Sequence, residues 1–152
     1  TDSIHTFDTR IHFFIEDWVK KSPEWVKLKR FPGDSTDIRI SDKEKFYGFY
    51  KEKSPHKSIS TELSFLPMEK AIRRFDKKWN GPKEAFGIGL VGKLSWIWVT
   101  HTGIVLVEPG KRPIIRHASS KKNKVVEMDL AEYLKSRKES IVGTMFFDFK
   151  EL

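Results

Sequence analysis

The sequence predicts an α+β domain: N-terminal helices, then an antiparallel β-meander with one short helix before the last strand. Apolar residues recur at helical spacing up to Trp79, and beyond Pro82 the pattern changes to short β-branched, aromatic and glycine-punctuated runs. With 152 residues, 38% hydrophobic and 13% aromatic, the chain is the size of one domain with one core. Residues 1–152 therefore read as a single unit, with 1–81 mainly helical and 82–152 mainly β.

Each element follows from its local pattern. Ile11, Phe14, Ile15, Trp18 and Val19 share one face, with Glu16, Asp17, Lys20 and Lys21 opposite. That predicts a helix between Phe7 and Val26, capped by Asp8 or Thr9 and ended or interrupted at Pro23. Phe31-Pro-Gly-Asp-Ser-Thr reads as a loop, Ser41-Asp-Lys-Glu as a capping box opening a helix through Tyr50, and Ser54-Pro-His-Lys as another loop. Over Ser64 to Trp79, Pro67 at the first turn followed by Met68, Ala71, Ile72 and Phe75 predicts an amphipathic helix ending before Asn80-Gly-Pro. Strands are expected over Phe86 to Val91, Trp96 to Val107, Pro113 to His117 and Lys124 to Met128. Turns are expected at Gly92-Lys93, Glu108-Pro-Gly-Lys and Ser119 to Asn123. A helix from Asp129 to Arg137 and a strand from Ile141 to Phe149 close the chain.

Charge and cysteine content bound the function. The net charge of +8 favours an anionic partner, whether nucleic acid, anionic lipid or cell-wall polymer, but the basic residues alternate with acidic ones and form no compact block. Trp96 and Trp98 alternate along a strand and suit either a base-stacking platform or packing; the second reading is preferred and no nucleic-acid partner is expected. Zero cysteines exclude disulfides, thiolate metal sites and a thiol nucleophile within the chain. No apolar run approaches the roughly 20 residues of a membrane span. No signal peptide is read, and a chain opening at Thr1 is expected to have been trimmed.

One constellation carries chemistry. In Thr100-His-Thr-Gly-Ile-Val-Leu-Val a histidine opens an apolar strand, and in Ile114-Ile-Arg-His-Ala-Ser-Ser a second closes the next. If these strands pair through the Glu108-Pro-Gly-Lys turn, His101 and His117 become neighbours. One imidazole could then serve as a general base and the other hold its tautomer; the same spacing also fits ordinary polar strand ends or part of a metal site. A metal usually needs further ligands, and His5, His12 and His56 show no ligand-like spacing with this pair.

The two histidine segments resemble the part of NlpC-type cysteine peptidases that carries the catalytic histidine on one strand and a polar residue on the next. More broadly, the chain resembles the N-acetylmuramoyl-L-alanine amidase-like branch of that papain-like superfamily. Phe7-Asp-Thr-Arg-Ile-His-Phe-Phe-Ile-Glu-Asp-Trp, Lys124-Val-Val-Glu-Met-Asp-Leu-Ala-Glu-Tyr-Leu and Gly143-Thr-Met-Phe-Phe-Asp-Phe are similar to its segments. The resemblance implies a papain-like fold, His101 as general base and His117 as its orienting partner, with no cofactor and no metal. Arg10 and Arg116 would meet a muropeptide carboxylate or form structural ion pairs. It further implies peptidoglycan or a muropeptide as partner and a periplasmic or secreted location.

The family's nucleophile, a cysteine at a helix start, would lie before Thr1. Three explanations stand side by side: the chain is the C-terminal part of a longer hydrolase, it is a non-catalytic relative that binds wall fragments, or another residue acts. Isolated, it is expected to be inactive, and to form a homodimer or associate with its missing N-terminal part.

Overall fold

A computed structural model describes residues 23–31, 37–40, 43–50, 62–94 and 99–150. Along the chain these form β1 (Val26–Lys29), β2 (Asp37–Ile40), α1 (Lys43–Phe49), β3 (Glu62–Pro67), α2 (Met68–Phe75), β4 (Glu84–Gly92), β5 (Val99–Val107), β6 (Ile114–Ser119), β7 (Lys124–Asp129), α3 (Leu130–Arg137) and β8 (Ile141–Phe149). The expected helix over 7–26 and its Arg10, the loops at 32–36 and 54–57, and Trp96 and Trp98 lie outside the described residues, apart from 23–26. There Pro23, Glu24 and Trp25 form a turn and Val26 begins a strand.

The described strands make one antiparallel sheet in the order β2-β3-β8-β4-β5-β6-β7. Its β4-to-β7 section is the expected meander, and β8 returns to lie against β4. The far edge of β8 is shared: β3 pairs at Gly143 and Thr144, and β1 at Phe146 to Phe149. Gly110 at φ +79° supplies the left-handed residue that the β5–β6 turn requires, and Asn123 at φ 49° does the same between β6 and β7.

Before residue 82 the outcome differs from the expectation of mainly helix. The described part holds three strands beside two short helices, and residues 64–67, expected to open a helix, end β3 instead. Adjacent Phe65 and Leu66 are both buried, one in each of the two cores, as only an extended chain allows. Pro67 is the last ladder residue, opposite Gly143, and its extended backbone caps α2. The helix then stops at Phe75 rather than at Trp79, whose indole Nε1 donates to the Pro82 carbonyl.

Helices α2 and α3 pack on one face of the sheet. Met68, Ala71 and Phe75 of α2 and Leu130, Tyr133 and Leu134 of α3 meet Leu66, Phe86, Ile88, Leu90, Val105, Val107, Ile115 and Phe146. Phe65, Val91 and Met145 form a smaller cluster on the other face. Continuous burial from Phe86 to Gly92 marks β4 as the central strand, covered on both sides.

Candidate active site

The β5–β6 register sets Ile104 opposite Arg116 and Val105 opposite Ile115. One further step brings His117 across from Gly103, and His101 two residues earlier lies on the same face. The side chains meet: His101 Nε2 is 3.0 Å from His117 Nδ1, and the rings stand edge to face with centroids 5.0 Å apart. That face is the helix-packed one, because His101 pairs with Leu90, which pairs on its other side with Thr144, and Thr144 pairs with Leu66. A row of four strands thus ends in the imidazole.

The backbone is irregular at this point. The β4–β5 pairing steps from Leu90 opposite His101 to Val91 opposite Val99, so Thr100 is an extra residue, and its hydroxyl donates to the Leu90 carbonyl at 3.4 Å. On the other flank of β4, Val142 is extra in the same way. Such bulges bend a strand and re-aim the neighbouring side chain; here the neighbour is His101.

Helix α3 supplies two residues that the sequence pattern did not single out. The Tyr133 ring lies 4.7 Å from the His117 ring, and Arg137 is one helical turn further on the same face. Leu130, Tyr133, Leu134 and Arg137 form an i, i+3, i+4, i+7 stripe whose first three members are buried. A cation at the fourth position of a buried stripe was the available signal.

Burial, then the His117 ring, then the Arg137 charge lower the His101 pKa below its ordinary value. The neutral base is thereby favoured. Burial raises the Tyr133 pKa, with Arg137 opposing, so its phenol stays protonated. On the far side of the pair, His117 Nε2 is buried and without a hydrogen-bond partner among the described residues, as is Arg137 Nε.

One of the two imidazoles must donate along the 3.0 Å contact. If His101 Nε2–H donates, His101 Nδ1 is left as an unprotonated nitrogen free to take a proton.

Arg116 is not brought into this group. It alternates with His117 and so points to the other face, where its guanidinium pairs with Glu127, the residue directly opposite on β7. That ion pair, on the face away from the histidines, is where the described residues place its guanidinium. Among them no group of three or more His, Cys, Asp or Glu is arranged to hold a metal. No helix among them is long and apolar enough to cross a membrane.

The family described as AmiA-like, N-acetylmuramoyl-L-alanine amidase-like, matches residues 1–143. No curated protein matches. Among solved structures, an N-acetylmuramoyl-L-alanine amidase from Bacteroides uniformis is similar with a TM-score of 0.70 and 19% identity, over 97% of this chain and 68% of that one. Protein LPG0564 of Legionella pneumophila, of the family DUF1460, is similar with a TM-score of 0.67 and 15% identity, over 97% of this chain and 64% of that one. At these identities the likeness is one of fold.

Proposed function

The chain belongs to the N-acetylmuramoyl-L-alanine amidase-like family, and from that premise we propose that it is the histidine-bearing part of a papain-like, NlpC-type peptidoglycan hydrolase. The bond cleaved is an amide of a muropeptide, between N-acetylmuramic acid and L-alanine or within the stem peptide. The observation that carries this reading is the contact between His101 Nε2 and His117 Nδ1 at 3.0 Å. Peptidoglycan as substrate implies a periplasmic or secreted location.

In this mechanism His101 Nε2–H donates to His117, and His101 Nδ1 takes the proton of a cysteine thiol supplied from upstream of the chain, since the chain has no cysteine. The thiolate attacks the amide carbonyl, the C–N bond breaks, and the imidazolium returns its proton to the leaving amine. Water, deprotonated by His101, then cleaves the thioester and regenerates the thiol. His117 acts through His101: it fixes the tautomer that keeps Nδ1 free.

The test uses the complete gene product with purified muropeptides under reducing conditions. Fragment release by the wild type, abolished in His101→Ala and reduced in His117→Ala, is expected. Intact muropeptides in the wild-type reaction, or full activity in His101→Ala, would refute the reading. The absence of cysteine favours one alternative, a relative that grips anionic wall polymer without cleaving it. Retention by isolated sacculi without fragment release is its distinguishing result.

A further inference from the structure

Among the described residues, three features beyond the imidazole pair could take a ligand. A cavity of about 110 Å³ lies between β1, β3 and β8. An apolar hollow of about 450 Å³ is lined by Leu106, Val107 and Ile114 at the far end of the sheet. The third is Arg137, and it carries the most.

Two cations beside α2 and α3, Arg112 and Lys135, have acids. Arg112 bonds Asp129 at 2.6 Å and Asp76 at 2.7 Å, and Lys135 bonds Asp76 at 2.8 Å and Glu132 at 3.1 Å. Arg137 has no carboxylate partner among the described residues, and its Nε is buried without an acceptor. It also occupies the buried stripe of α3, one turn from the tyrosine that packs on His117. A half-buried guanidinium with an unmet donor is costly unless an anion completes it.

We propose that Arg137 is an anion-binding residue of the site, which takes a carboxylate of the substrate next to the imidazole pair and selects for acidic peptides over their amidated counterparts. The inference rests on the hydrolase reading and deepens it by naming the substrate's charge. A planar fork of N–H donors matches a carboxylate bidentately, which an ammonium cannot do. The surroundings agree in sign. The open groove that begins at the next residue, Lys138, has Arg73 and Lys93 on its walls against Glu69 and Glu139, with Lys70 also lining it. Its backbone join to the site end of the sheet is the Lys93 N–H to Ser140 carbonyl bond of 3.2 Å.

Two readouts test this. With the complete enzyme, kcat/KM is measured on a muropeptide bearing a free α-carboxylate and on its carboxamide. Arg137→Gln should lose about 10- to 100-fold on the carboxylate, the range for a charge-assisted hydrogen bond, and less than about 3-fold on the carboxamide. Arg137→Lys should fall between wild type and Gln on the carboxylate. Equal loss on both substrates overturns the proposal, while inactivity of His101→Ala would leave the hydrolase reading standing.

The second readout needs no turnover. N-acetyl-L-alanine added to the complete protein should shift the imidazole resonances of His101 and His117, and N-acetyl-L-alaninamide should not. Equal shifts from both, or from neither, also overturn it. If Arg137→Gln does not fold, the Lys variant and this titration decide.

Discussion

Replacing Asp129 separates two jobs held by one carboxylate. Its Oδ1 accepts the Glu132 N–H at 3.0 Å and so caps α3, the helix that carries Tyr133 and Arg137 to the site. Its oxygens also accept from Arg112, whose other bond reaches Asp76 at the C-cap of α2. Asp129→Ala removes both interactions, whereas Asp129→Asn keeps a capping oxygen and loses the charge. Loss of an N-cap costs about 1 kcal/mol, and in a chain of about 150 residues that lowers Tm by about 3 °C. The Asn variant should lose clearly less, because the ion pair is largely exposed and screened.

The two jobs also differ in pH dependence. The Arg112 hydrogen bond chiefly holds the Asp129 carboxyl below its ordinary pKa. Stability from this group is therefore present above about pH 4 and lost as pH falls through the lowered value. Thermal melts followed by circular dichroism at pH 7 and pH 3 check both points. Equal melting of the Ala and Asn variants at pH 7 would remove the cap as the source, and an unchanged Ala variant would refute the whole account.

Gly143→Ala should destabilise by about 2–3 kcal/mol, because a Cβ there would lie 2.4 Å from the Leu66 carbonyl oxygen, which is backbone and cannot yield. Gly48→Ala in α1, where a Cβ meets nothing within 4 Å, should stabilise by about 0.5–1 kcal/mol; urea midpoints compare the pair. His101 should titrate below about 6.5 by NMR, the ordinary value. Because folding lowers that pKa, the unfolded chain binds more protons in the window beneath about 6.5. Stability from this group is complete above that pH and falls below it, and His101→Gln should flatten the dependence. Thr144→Val should raise stability by about 1 kcal/mol, since the buried Thr144 hydroxyl has no partner among the described residues; a lower melting temperature would show that the hydroxyl is satisfied.

Period-two alternation made the meander legible. Val105, Val107 and Ile115 are buried on the face that His101 and His117 share, and the turn at Glu108-Pro-Gly-Lys fixes how the strands fold back. The imidazole contact followed from that pattern alone. The same rule puts Arg116, one residue from His117, on the opposite face, where the structure pairs it with Glu127. The β3 segment misled because Met68, Ala71, Ile72 and Phe75 extend a helical period backwards over Phe65 and Leu66, whose strand partners, Asp37 in β2 and Thr144 in β8, are distant in sequence. Tyr133 and Arg137 were missed for a related reason: their spacing defines a helix face, but which strand that face covers is fixed only by packing.

The position of the buried polar atoms links fold to function more closely than any single residue does. Ser64 Oγ, Thr144 Oγ1, His117 Nε2 and Arg137 Nε are the buried side-chain atoms without partners among the described residues. All four side chains belong to the helix-packed layer. Ser64 shares the face of Leu66, Thr144 stands in the row that ends at His101, and Arg137 extends the stripe of Tyr133. Each such atom costs about 1–3 kcal/mol when left unmet, and the smaller cluster on the opposite face contains none. A fold selected only for stability would fill this layer with the apolar residues that surround it. A polar lane through an otherwise apolar layer, ending at two imidazoles and at a guanidinium whose Nε has no partner among the described residues, is what the proposed site requires if its missing donors and acceptors are supplied on binding.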